Sequence, residues 1–172
     1  MAVDHRPRDF DHLVLDAEPL VAYYLDEPGA DVVEPFLLAI EDGELGGSIS
    51  AVTAVEVYYA CLRAVDGTDR DVSTDAAAEQ RVADYLDTLR MNDVEIVPVD
   101  GIDVTTGVIK ANHSIAIGDA FALGTAYDSH ADHDGSVALL VGADDDYDPF
   151  VADHAATDGI DLTVFRFRDH AP

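Results

Sequence analysis

Tryptophan is absent from the 172 residues, lysine occurs once (Lys110) and cysteine once (Cys61). A lone cysteine excludes a disulfide framework, so the fold has to rest on buried apolar surface. No window approaches the roughly 18 apolar residues of a membrane span. Residues 1–11 are polar and charged where a secretory signal would be apolar. A soluble, cytoplasmic protein with no membrane partner is therefore expected. Positive charge is scarce throughout: 9 Lys+Arg stand against 36 Asp+Glu, for a formal net charge of −27 and a pI near 4.1.

What is present is enough to fold. Hydrophobic residues make up 48% and the mean hydropathy is +0.04, which excludes a disordered acidic tail. The length suits one domain over residues 12–172, behind a polar tail at 1–11. Self-repulsion at this charge destabilises a compact state in dilute salt. At molar salt the screening length falls to roughly 3 Å and the penalty largely disappears. Acids spread evenly along the chain thus read as adaptation to a salt-rich cytoplasm, as in a halophilic archaeon. An acidic mimic of nucleic acid would concentrate them.

Residues 12–16 read as a short buried strand ending in an acid. A helix over 17–25 follows, with Pro19 in the first turn, where proline is tolerated. Asp26–Gly29 is a turn. A second helix over 30–42 puts Val33, Leu37 and Ile40 on one face, and Pro35 marks a place for a kink. After a loop at 43–47 and a strand at 48–50, Thr53 is expected to cap a helix over 54–65. Residues 66–75 read as a polar loop, 76–90 as a helix, 94–99 as an alternating strand and 103–113 as a helix. Asp119 then opens a helix with almost no charge, which in so acidic a chain predicts burial. The apolar run 136–141 suits a central parallel strand. The acids Asp144, Asp145 and Asp146 follow, then a helix over 149–156 and a last strand over 162–165. This alternation predicts an α/β domain, with a mostly parallel sheet covered on both faces by helices.

Sites in such sheets form beyond the carboxyl ends of the strands. Asp16, Glu56, Asp119 and Asp144 fall there from four different connections, and Asp146 follows two residues after Asp144. Asp16 and Asp119 are also ordinary helix caps by position, and Glu56 alone reads as a solvated helix residue. Their apolar company separates them from the surface acids: Leu13-Val14-Leu15 precede Asp16, and Val55 and Val57 flank Glu56. Acids in apolar surroundings need a compensating positive charge. No Arg or Lys lies close by in the sequence. Oxygen-only ligands point to Mg²⁺ or Mn²⁺.

Four blocks then carry a family resemblance: Val14-Leu15-Asp16-Ala17, Ser50 to Val57 around Glu56, Ile115 to Ala126 around Asp119, and Leu140 to Tyr147 with Asp144 and Asp146 before an aromatic. In order and spacing they resemble the PIN-domain ribonucleases, specifically the VapC toxin-like branch, from His12 onward. The resemblance implies a three-layer α/β/α fold and a metal-dependent endoribonuclease. Such proteins are often the toxin of a type II toxin–antitoxin pair, inhibited by a small antitoxin protein and commonly homodimeric. It also implies that Asp16, Glu56, Asp119 and Asp144 form the catalytic metal shell, with Asp146 auxiliary. One or two ions there would acidify water and stabilise the transition state of phosphodiester cleavage. Two departures stand out. Glu18 occupies a position where the family often has Ser or Thr, and the polar stretch at 66–75 is long. Thr125 is expected to pack in the core or bond a backbone carbonyl. RNA binding must rest more on metal, stacking and groove contacts than on ionic ones; Arg63, Arg81 and Arg90 are the basic residues available on adjacent helices, where helix–helix ion pairs are the use first expected of them.

Other readings fit less well. A doubly wound phosphatase with Asp16 as nucleophile wants a second Asp where Glu18 stands, and a lysine better placed than Lys110. A calcium loop at 144–148 fails at its glycine and final ligand positions, Pro149 and Ala155. A non-catalytic binding module of the same fold would be favoured by loss of one of the four acids, yet all four are present.

Overall fold

Five short apolar runs become the strands of one sheet in the computed structural model, which describes residues 6–66, 80, 83, 84, 87, 93–132, 135–157 and 162–171. They are β1 (His12–Leu15), β2 (Gly46–Ser50), β3 (Glu95–Val97), β4 (Val137–Val141) and β5 (Leu162–Arg166), in the order β3-β2-β1-β4-β5. Every pairing is parallel, with His12 opposite both Gly46 and Val137. β1 and β4 are buried along their whole length, as continuous apolar runs require of a strand covered on both faces.

The helices are α1 (Ala17–Tyr24), α2 (Ala30–Glu41), α3 (Ala51–Asp66), α4 (Val99–Asn112), α5 (Ile117–Asp132) and α6 (Asp148–Thr157). Alternation along the strands sorts them into two layers. Leu13, Leu15, Ala138 and Leu140 face a core built with Leu20 of α1, Phe36 and Ile40 of α2, and Val57 and Cys61 of α3. Val14, Val137, Leu139 and Val141 face Ile109 of α4, Ala120 and Leu123 of α5, and Phe150 of α6. The architecture is the expected three-layer α/β/α sandwich.

Several boundaries differ from expectation. Ser50 caps α3: its hydroxyl accepts from the Thr53 amide at 2.9 Å and meets the Thr53 hydroxyl at 2.9 Å. The helix thus starts at Ala51, and Glu56 falls in its second turn. α4 starts at Val99, because Pro98, extended at ψ 152°, ends β3 and serves as the N-cap. Pro35 lies inside α2, which runs on without restarting, held by Val33, Phe36, Leu37 and Ile40 in the core. α5 begins two residues before Asp119 and runs for 16 residues. Thr125 is fully buried and donates to the Phe121 carbonyl at 2.9 Å, in the role expected of it. Of the stretch read as loop at 66–75, Asp66 is the last residue of α3 and 67–75 lie outside the described residues, as do Arg81 and Arg90 of the helix read over 76–90.

Candidate functional site

A parallel sheet collects the carboxyl ends of its strands along one edge, and strand order reverses here between β1 and β4. Asp16 follows β1 directly. Asp144 follows β4 after Gly142 and Ala143, Glu56 projects from the second turn of α3, and Asp119 is the third residue of α5. None of the four is carried to the far side of the sheet. Asp119 is the meeting point.

On one side of it, single carboxylate oxygens of Asp119, Asp144 and Asp146 lie within 4.8 Å of one another. The Asp146 amide donates to Asp144 Oδ1 at 3.0 Å, which holds the Asp144 carboxylate against the Asp146 backbone. On the other side, Asp16, Glu56 and Asp119 line a groove of about 410 Å³ together with Glu18, Val21 and Tyr59. Gly118 allows this approach: a Cβ there would overlap the Glu56 carboxylate. The ordinary capping roles are only partly filled. Asp119 Oδ2 accepts from the Ala116 amide at 3.3 Å, whereas Asp16, at the N-cap of α1, makes no capping hydrogen bond.

Tyr147 ties the two halves together. It is 1% exposed, and its hydroxyl stands 3.1 Å from Asp16 Oδ2 and 3.2 Å from Asp119 Oδ1. One hydroxyl proton thus serves two carboxylates. Burial, followed by the charges of Asp16 and Asp119, pushes the Tyr147 phenol far up, so it stays a neutral donor. Sequence reasoning gave this residue no role, although an aromatic directly after the acids was the available signal.

The electrostatics show what this crowding costs. Burial above all, then the charges of Asp119 and Glu56, push the Asp16 carboxyl from its ordinary 3.8 to about 6. The Ala17 amide and Tyr147 hydroxyl act in the opposite direction. Glu56 is raised by burial and by Asp119. Asp119 is raised by burial and by Asp144 and Asp146, against the hydrogen bonds from Tyr147 and Ala116. Among the described residues no ion pair reaches any of these five acids. Arg166 pairs with Asp145 and Asp148, and Arg168 with Glu18 and Glu27.

The donor set fits a hard divalent cation: among the described residues it holds several carboxylate oxygens and no sulfur or nitrogen ligand, and the nearby Arg166 donates to the Asp144 backbone carbonyl at 3.0 Å while its ion pairs go to Asp145 and Asp148. Asp119, Asp144 and Asp146 offer the tightest group, with Asp16 and Glu56 joined to it through Asp119. Glu18 is different. Its carboxylate packs where a side chain on Gly142 would be, and its charge is taken up by Arg168, which also donates to the Pro28 carbonyl at 3.2 Å. An acid thus replaces the hydroxyl expected at that position without adding an uncompensated charge to the groove.

The family model described as PIN domain matches residues 13–150, about four fifths of the chain, and the match spans all five acids. No curated protein matches the chain.

Proposed function

The chain belongs to the PIN-domain family, and from that premise we propose that it is a metal-dependent endoribonuclease with Asp16, Glu56, Asp119 and Asp144 as the catalytic shell and Asp146 as an auxiliary ligand. The observation that carries the reading is the convergence of five carboxylates from four connections, three of them within 4.8 Å, with no cation paired to them among the described residues. Like charges so placed repel one another unless a positive ion neutralises them. Asp119, Asp144 and Asp146 would hold Mg²⁺ or Mn²⁺ from one side, and Asp16 and Glu56 would complete the shell beside Asp119. A bound divalent ion there supplies an acidified water and neutralises charge developing on the phosphoryl oxygens. The protein's own part is positional. Tyr147 holds Asp16 and Asp119 in register, Gly118 admits Glu56, and Asp16 must give up its proton to serve as a ligand.

Residues 12–172 are read as one nuclease domain behind the polar tail. The wider role proposed is that of a VapC-like toxin, cytoplasmic and homodimeric, inhibited by a small antitoxin protein and adapted to high salt, as its charge of −27 suits. Among the described residues no helix is long and apolar enough to cross a membrane. The phosphatase alternative finds little support, since Glu18 is held by Arg168 and the Lys110 ammonium donates to the Ile115 carbonyl.

The test is cleavage of RNA in molar KCl with added Mg²⁺ or Mn²⁺, abolished by a chelator. Asp119→Asn should lose cleavage while melting as cooperatively as the native chain; full activity in that variant refutes the site. Phosphate release from small phosphomonoesters with RNA left whole would transfer the assignment to a phosphatase.

A further inference from the structure

We infer that Arg166, the last residue of β5, is a positioning residue for the metal shell: it clasps the connection between β4 and α6 and so keeps Asp144 and Asp146 beside Asp119. This rests on the metal-dependent nuclease reading and adds to that site a residue from the last strand.

The connection is crowded with charge. Asp144, Asp145 and Asp146 are consecutive, and Asp148 follows Tyr147. Carboxylates packed this closely along the chain repel one another, and an unrestrained loop would spread them apart. The structure divides them instead. Asp144 and Asp146 offer oxygens to the group around Asp119, all within 4.8 Å. Asp145 and Asp148 pair with Arg166.

Arg166 stands opposite Val141, the last residue of β4, in the parallel register of the sheet. The arginine is thus anchored beside the point where the connection leaves the strand. Its side chain is 17% exposed, against 88% for Asp145 and 59% for Asp148. Nε donates to the Asp144 carbonyl at 3.0 Å and lies 3.5 Å from Asp145 Oδ1, while Nη2 donates to Asp148 Oδ1. A planar guanidinium presents its donors as a rigid fork, so three acceptors on one connection are held at set spacings. The bond to the Asp144 carbonyl matters most, because it fixes the backbone of a residue whose carboxylate belongs to the metal group. No ion pair joins Arg166 to the Asp144 or Asp146 carboxylate, so the clasp leaves both open to an ion.

Charge and position act in opposite directions here. As a positive charge near the site, Arg166 lowers the affinity for a cation. As a clasp, it raises that affinity, because the loop is gathered before the ion arrives. The sign of the change on removing it separates the two.

The probe is Mn²⁺ alone, titrated into the full chain in 2 M KCl at pH 7.5 and followed by the electron paramagnetic resonance of the free ion. Arg166→Gln should weaken Mn²⁺ binding about tenfold, the usual effect of losing a partner that orients metal ligands, although the variant is more negative than native. Arg166→Lys keeps the charge without the fork and should weaken binding at least about threefold. Should Arg166→Gln fail to melt cooperatively, Arg166→Lys carries the test. Equal or tighter Mn²⁺ binding by a folded Arg166→Gln overturns the proposal, and so does native affinity in Arg166→Lys. In RNA cleavage, the Mn²⁺ concentration giving half the maximal rate should rise by the same factor as the binding constant. Mn²⁺ binding that depends on Arg166 in a chain that leaves RNA whole sustains the clasp and removes the nuclease reading; metal-dependent cleavage with Mn²⁺ binding indifferent to Arg166 does the reverse.

Discussion

Replacing Asp16 with asparagine should make the metal-free protein more stable at neutral pH. The native Asp16 carboxyl releases its proton at about 6 instead of its ordinary 3.8, chiefly because it is buried. Between these values the folded chain binds more protons than the unfolded one, so this group makes stability fall as pH rises. The penalty is absent below 3.8 and fully expressed above about 6. At 1.36 kcal/mol per pH unit, the shift corresponds to about 3 kcal/mol as an upper bound. Asparagine has the same shape, keeps an acceptor for the Tyr147 hydroxyl and carries no charge, so it resembles the protonated acid at every pH. Thermal and denaturant melts from pH 4 to 8 in 2 M KCl with chelator would compare the two chains. The difference between them isolates Asp16 from the other carboxylates. It should be near zero at pH 4 and grow to between about 1 and 3 kcal/mol in favour of the variant by pH 7.5. Millimolar Mn²⁺ should then stabilise the native chain and raise the variant less, because one ligand is gone. A pH-independent difference, or a variant less stable than native at pH 7.5 in chelator, would refute the reasoning.

Gly118→Ala should separate activity from stability. Alanine suits the first turn of α5, so the melting temperature should hold, whereas the added methyl displaces the Glu56 carboxylate and metal-dependent cleavage should fall at least about tenfold. Unchanged cleavage would show that Glu56 is not needed where it stands. Thr106→Val should stabilise the chain by about 1 kcal/mol, since the buried Thr106 hydroxyl has no hydrogen-bond partner among the described residues and valine nearly matches its shape. A lower denaturant midpoint in that variant would mean that the hydroxyl is satisfied after all.

Much of the fold was readable from local pattern. β1 and β4 announced themselves as continuous apolar runs, and α5 as a helix almost without charge, because burial on both sides leaves no polar face to confuse the period. The misplaced boundaries lie where two residues compete for one role. Ser50 and Thr53 can both cap α3, and only the chain's entry from β2 decides that Ser50 does. The helix expected from Asp103 begins instead at Val99, because Pro98 had already ended β3 and the helix followed at once.

The candidate site divides the same way. Which acids the fold would gather was legible from their apolar neighbours, since a carboxylate beside buried residues carries a cost that a surface carboxylate does not. Their grouping was not legible. Asp119 stands at the centre only because β1 and β4 are neighbours in the sheet, which puts the residues after both strands beside the first turn of α5. Tyr147 joins acids 131 and 28 residues away, and Arg168 neutralises a Glu18 that is 150 residues distant. Composition and periodicity determined what the chain would bury and which side chains would be uncomfortable there. Through-space distance, whose inverse first power sets the Coulomb energy and which has no counterpart along the sequence, decided which of them stand close enough to share a charge, a proton or an ion.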